Sequence, residues 1–308
     1  MQIIKHILKL VLRIIGFVNL HDAIIKFRLP QKHLKKKLGI TPSNILITNN
    51  FKIFKFRKSK FVRLKHIKNY INEISLKDYV FDISVDDTNF KMNFNGYNLD
   101  SAIIERINGL RETETTSILK SIIKPGFNII EIGACYGYFT NIVAQSTGIE
   151  GMIYSIESSP NNFKILNNNI KLNNLKNVKI YNLFISNLEE EVVFHKDAKN
   201  SYEIKLRETS KYLNLENEII VKSISINNFI KKNNITPDLI FMDIEGCEVE
   251  VIEDLNKNYF QIKKPIILFE VHSKYYKNES LNDLKHLLVS NKYNCVEISG
   301  NLLCIPNL

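Results

Sequence analysis

The stretch IIEIGACYGYFT, residues 129–140, decides how the rest of the chain is read. An apolar run, Ile129 and Ile130, closes on an acid, Glu131. Two glycines follow at G-x-x-x-G spacing, Gly133 and Gly137, and then the aromatic pair Tyr138 and Phe139. This is the pattern of a buried strand that turns sharply into a helix. Gly133 supplies the backbone freedom of the turn, and Gly137 lets the helix begin close to a ligand. The spacing is not the G-x-G-x-x-G of dinucleotide enzymes, and the Lys and Ser/Thr of a phosphate loop are missing.

Working outward, short apolar runs alternate with helical periodicity from about residue 100 onward. The pattern predicts a helix over 110–123, stopped at Pro125–Gly126, and a strand over 128–132. Helix 137–147, strand 152–157, helix 161–172 and strand 178–184 follow. An insert with hairpin character fills 189–222. Strand 238–243, helix 247–256, strand 265–271, helix 280–290 and the strands 293–298 and 301–305 complete the series. Alternation of this kind implies an α/β fold with a mostly parallel sheet covered on both faces. The tight turn at Ser299-Gly300-Asn301 makes the last two strands an antiparallel edge pair.

In such a sheet ligands bind beyond the carboxyl ends of the strands, near the point where strand order reverses. Four chain segments reach that edge. The first is the glycine turn. The second is YSIESSP, where Glu157 stands about twenty residues after the turn, placed to accept hydrogen bonds from both hydroxyls of a ribose. The two together describe a nucleoside pocket without a cradle for a pyrophosphate. The third is FMDIEGCEVEVI, with Asp243, Glu245 and Glu248 around Gly246; Glu248 also fits a first-turn acid that complements the helix dipole. The fourth is LFEVHS, where alternation puts Glu270 and His272 on one side of the strand. A histidine among carboxylates can serve as a general base toward a hydroxyl.

Charge is unevenly distributed. The net formal charge is +10, yet residues 1–80 hold 18 Lys+Arg against 3 acids, which leaves 24 against 29 in residues 81–308. The basic region 1–80 is therefore expected to be a unit separate from 81–308, a helical and β extension. In MQIIKHILKLVLRIIGFVNL, Lys5, Lys9 and Arg13 form one stripe of a helix, and its apolar runs fall far short of the ~20 residues of a membrane span. Two readings stay open: a helix packed on protein, or one lying in a membrane interface. Residues 51–64 interleave aromatics and cations, as a half-buried sheet with a basic face or a surface for single-stranded nucleic acid. Cys135, Cys247, Cys295 and Cys304 show no C-x-x-C spacing, so reduced thiols in a cytoplasmic setting are expected, with no structural metal.

With these motifs in order, KPGFNIIEIGACYGYFT, IESSPNNFKILNNNIKLN, FMDIEGCEVEVI and KPIILFEVH, residues 100–305 resemble the FkbM-type S-adenosylmethionine-dependent methyltransferases. The resemblance implies a Rossmann-like class I methyltransferase fold with a seven-stranded sheet. It also implies S-adenosylmethionine as cofactor and methyl transfer to a hydroxyl of a sugar, glycan or other small molecule. Glu112 matches an acid the family carries ahead of its K-P-G. Carried over, the cofactor-binding positions are Glu112, Glu131, Gly133, Ala134, Cys135, Tyr136, Gly137, Tyr138, Phe139, Glu157, Ser158, Leu183, Phe184 and Asp243. Asp243, Glu245 and His272 are the catalytic candidates. Glu131 stands where Asp is commoner, and Cys135 and Tyr136 where the family often has Asn and Ile, so Tyr136 reshapes the pocket for the methionine part. Two other readings are a nucleic-acid methyltransferase docking through residues 51–68 and a non-catalytic binding module. The absence of an N/D-P-P-Y element after the fourth strand counts against methylation of base amino groups.

Overall fold

The computed structural model describes residues 78–187, 191–196, 202–206, 218–272 and 281–307, with Leu76, Tyr276 and two paired dipeptides near the N-terminus. The expected helix of residues 1–20 and the aromatic–cationic stretch 51–64 lie outside the described residues. Among the described residues no helix is long and apolar enough to cross a membrane.

The chain divides into two compact units, Met1–Arg111 and Glu112–Leu308. In the first, β1 (Ala23–Ile24) pairs antiparallel with β2 (Leu46–Ile47). β3 (Val80–Val85) and β4 (Thr88–Asn93) form a hairpin. Strict alternation in β3 buries Phe81, Ile83 and Val85 and exposes the residues between them, as one apolar face requires. The helix α1 (Ser101–Ile107) starts where the Asp100 carboxylate accepts the Ile103 N–H at 2.7 Å.

The second unit is built on seven strands: β5 (Asn128–Ile132), β6 (Met152–Ile156), β7 (Val178–Tyr181), β12 (Leu239–Met242), β13 (Ile266–Glu270), β14 (Tyr293–Ile298) and β15 (Asn301–Pro306). Their spatial order is β14-β15-β13-β12-β5-β6-β7. All neighbours run parallel except β15, which is antiparallel to both β13 and β14. Strand order reverses between β5 and β12, so the site edge is at their carboxyl ends. The expected Rossmann-like architecture is the one found.

Why these strands are buried on both faces follows from their composition. In β5 Ile129 faces one core with Leu119, Val143, Leu239, Phe241 and Leu268. Its neighbour Ile130 faces the other with Met242, Ile252, Leu255 and Phe269. The helices α2 (Thr113–Ile122), α3 (Tyr138–Thr147), α4 (Pro160–Leu172), α6 (Glu248–Asn258) and α7 (Leu281–Ser290) fall within a few residues of expectation. α4 has Ser159 as its cap and Pro160 in its first turn.

Three features differ from the sequence reading. The third strand ends at Tyr181, and Phe184–Ile185 forms a separate strand, β8. β8 joins β9 (Glu191–Lys196), β10 (Tyr202–Leu206) and β11 (Glu218–Ile224) in a second sheet ordered β10-β9-β11-β8. A short helix, α5 (Ile226–Lys232), occupies what reads as a connection; Ser225 caps it, and Ile226, Phe229 and Ile230 are buried. Finally, the expectation of four reduced thiols fails for one pair. Cys295 and Cys304 are register partners on β14 and β15, with Cα atoms 4.1 Å apart, and form a disulfide. The tight turn, not sequence proximity, brings them together.

A loop this short is expected to add about 2–3 kcal/mol of stability through the cross-link. Cys295→Ala and dithiothreitol should each lower the urea midpoint of the native chain, and dithiothreitol should add nothing to the variant. Independent, additive effects in the denaturation curves would contradict the bond.

Candidate active site

The site begins under the glycine turn. Glu131 is buried, and its Oε2 accepts two short hydrogen bonds, from Thr140 Oγ1 and Ser155 Oγ, each 2.6 Å. One carboxylate thus ties β5, β6 and α3 together. Burial pushes its pKa up to about 7; the two hydroxyls oppose this, and nearby Glu157 adds to it. Above it the chain reverses. The N–H groups of Gly133 and Ala134 both donate to the Ile156 carbonyl, at 2.9 and 3.0 Å. Gly133 has φ +89°, and a Cβ there would lie 2.1 Å from the Asp243 carbonyl oxygen. No side chain fits at that position.

Glu157, at the tip of β6, is 6% exposed. Its Oε2 accepts the Cys135 N–H at 2.8 Å and its Oε1 the Ser159 N–H at 2.7 Å. It therefore lies directly beneath the turn, although Cys135 must adopt a left-handed φ of 52° to reach it. Burial raises the Glu157 pKa, and the backbone hydrogen bonds counter it. Asn182, which the sequence reading passed over, steadies this corner: its Nδ2 donates to the carbonyls of Glu157 and Ser158, both at 2.9 Å. Asn169 Nδ2 likewise donates to the Tyr136 carbonyl at 2.8 Å.

The cofactor candidates therefore do not all lie together. Gly133 to Gly137, Glu157 and Ser158 converge around one turn. Tyr138, 2% exposed, and Phe139, edge-on to Phe241 at 5.3 Å, pack behind it. Phe184 is buried in β8, and Leu183 packs against the main core.

The other half of the site is acidic. Asp243 follows β12, Glu270 ends β13, and Glu112 caps α2 with a left-handed backbone, φ 46°. His272 is 9% exposed. Its Nδ1 lies 2.9 Å from Oε1 of Glu248, which is fully buried and also accepts the Ile244 N–H at 3.3 Å. The other nitrogen, Nε2, faces Asp243 Oδ1 at 3.7 Å, Glu245 Oε2 at 3.7 Å and Glu270 Oε2 at 3.9 Å. Burial alone would lower the His272 pKa, but the hydrogen bond and charge of Glu248, with Glu245 and Asp243, carry it upward. Asp243 is raised as well, first by burial and then by the charges of Glu112 and Glu270. Two ligand sets converge here, Asp243–Glu245–His272 and Glu112–Asp243–Glu270, each offering atoms within 4.8 Å of one another. Glu248 and Glu270 were visible as strand-edge acids; the enclosure of Glu248 against the imidazole was not.

The sequence model of the Methyltransferase FkbM domain matches residues 131–295, from the glycine turn to the last strand pair. The chain belongs to this family. It is an S-adenosylmethionine-dependent methyltransferase. The strand edge offers that cofactor a tight turn at Gly133, the enclosed carboxylate of Glu157 and an acidic side. The model of protein-L-isoaspartate(D-aspartate) O-methyltransferase also matches, over residues 48–183. Comparison with curated protein sequences finds no match. Among solved structures, the chain is similar to a SAM-dependent methyltransferase from Aquifex aeolicus, at 13% identity and TM-score 0.36, covering 61% of this chain and 87% of that one. It is also similar to a putative transferase from Pyrococcus horikoshii, at 14% identity and TM-score 0.39, covering 80% of each chain. M. jannaschii TYW2 in complex with AdoMet shares 18% identity at TM-score 0.35, over 72% of this chain and 81% of that one.

Because the folded-state pKa of Glu131 lies above its ordinary value of 4.5, this group favours the fold at low pH and opposes it as pH rises through 4.5 to about 7. Glu131→Gln should remove that slope from the pH dependence of thermal unfolding. The difference should reach roughly 3 kcal/mol at most near pH 8. An unchanged slope in the variant would show that Glu131 is not the titrating group.

Proposed function

We propose that the enzyme methylates a hydroxyl of a sugar, glycan or other small molecule. The observation that carries this is His272, held by the enclosed Glu248 through Nδ1, with Nε2 turned toward Asp243, Glu245 and Glu270 at the carboxyl edge of the sheet. When bound, S-adenosylmethionine supplies a methyl carbon on a sulfonium, which forms its new bond to the acceptor oxygen while sulfur keeps the electrons of the broken C–S bond. Every other requirement falls on the chain. Residues 133–137 wrap the methionine part, Glu157 holds the ribose, and the adenine lies toward Leu183 and Phe184. The acceptor enters beside Asp243, Glu245 and His272. His272 Nε2, with Asp243 Oδ1 3.7 Å away, is the group placed to take the hydroxyl proton. Alignment of acceptor oxygen and methyl carbon is the larger contribution, and it depends on the rigid strand tips.

Calorimetric titration tests the two halves separately. Wild type should bind S-adenosylmethionine, and Glu157→Ala should weaken binding by about tenfold or more, as expected for loss of a charged hydrogen-bond acceptor. His272→Ala should leave cofactor binding nearly unchanged while lowering methyl transfer to a panel of sugar and polyol acceptors by roughly 10²–10⁴-fold. A folded wild type that ignores the cofactor would refute the cofactor site. Transfer at full rate by His272→Ala would refute the proton-acceptor role.

A further inference from the structure

Three carboxylates, Glu112, Asp243 and Glu270, bring one oxygen each within 4.8 Å of one another at the same strand edge. Like charges this close oppose the fold unless something offsets them. Among the described residues, the ion pairs of Asp243 and Glu270 at this edge are with His272, at 3.7 and 3.9 Å, beyond hydrogen-bond reach.

An independent observation comes from Asn301, which is 3% exposed. It is the register partner of Glu270 across β15 and β13. The two side chains therefore leave the same face of the sheet side by side. The helix that begins at Glu112 covers that face here, because Asn301 Nδ2 donates to Thr115 Oγ1 at 3.0 Å. The other branch of the amide, Oδ1, is fully enclosed and accepts no hydrogen bond among the described residues. A buried carbonyl oxygen in that state is costly unless a donor or a cation meets it. All four groups offer oxygen, the donor that Mg²⁺ and Mn²⁺ prefer over nitrogen and sulfur.

We propose that Glu112, Asp243 and Glu270, joined by the enclosed amide oxygen of Asn301, the register partner of Glu270, form a binding site for one divalent, oxygen-preferring cation of the Mg²⁺ or Mn²⁺ class. The purpose of the site rests on the hydroxyl-methylation reading, but its existence does not. A hydroxyl held on such an ion would give up its proton more readily. His272 Nε2, less than 4 Å from oxygens of Asp243 and Glu270, is left as the proton acceptor, and Glu248 fixes its orientation. The proton would pass from the hydroxyl to Nε2, and the oxygen would keep the electron pair with which it attacks the methyl carbon.

Titration of the purified full chain with MnCl₂, followed by loss of the free-ion electron paramagnetic resonance signal, tests this without any acceptor. Wild type should take up one Mn²⁺ per chain, and excess Mg²⁺ should release it. Glu270→Gln and Asp243→Asn should weaken uptake by about tenfold or more. Glu297→Gln, on the exposed face of β14, should match wild type. Should Asp243→Asn fail to fold, the partly exposed Glu270→Gln carries the test. Calorimetry with S-adenosylmethionine runs in parallel. A chain that binds the cofactor but takes up no Mn²⁺ overturns the cation site and leaves the methyltransferase reading standing. Equal uptake by Glu270→Gln and wild type overturns it as well. Uptake by wild type that both variants lose supports the site, whatever the acceptor proves to be.

Discussion

The approach of Gly133 to the backbone of Asp243 is the constraint on which the site depends. Two strand tips, β5 and β12, meet there with no room for a side chain. One tip leads into the turn over Glu157, and the other carries the acidic cluster. Any residue larger than glycine would force them apart and separate the turn from the acidic cluster. Glu131 secures the β5 side of that junction from below, because its two hydroxyl partners belong to β6 and α3. Its burial is unfavourable for an ionised carboxylate, and the two hydrogen bonds only partly compensate. Stability is given up at that point to hold a turn still.

Backbone strain collects at the same edge. Glu112, Cys135 and Glu245 all have positive φ, which glycine, asparagine and aspartate adopt far more readily than glutamate or cysteine. By contrast, Asn174 and Asn234 take positive φ just after helix ends, where that is ordinary. Strained non-glycine residues persist where surrounding structure over-determines them, and such places are enriched in function.

The mostly parallel sheet, its antiparallel pair and most helix limits were legible in the sequence because strands buried on both faces leave apolar runs between turn residues. What escaped was mostly non-local. The enclosure of Glu248 depends on His272, 24 residues later. The neighbours of Asn301 lie on β13 and on a helix 186 residues earlier. No periodicity records such pairings. The disulfide is a different case. Once the turn at 299–300 is placed, its register dictates that position 295 faces 304, so the information was present and the cysteine spacing alone concealed it. The helix α5 escaped because seven residues are too few to show a period, although Ser225 before Ile226, Phe229 and Ile230 carries a cap and an apolar face.

The reversed strand β15 has an effect on timing. Parallel strands can offer a site only their carboxyl ends, but β15 runs the other way and delivers its first residue, Asn301, to that edge. It is also the last strand of the sheet in chain order, yet it lies inside the sheet, between β13 and β14. During synthesis β14 emerges first and has no partner until β15 inserts beside it. The turn held by Glu157, built from β5 and β6, can assemble early on a growing chain. The acidic residues Asp243, Glu270 and His272 all precede β15, so the final strand adds to that edge only Asn301, whose amide braces the first turn of α2 after the rest of the edge is already made.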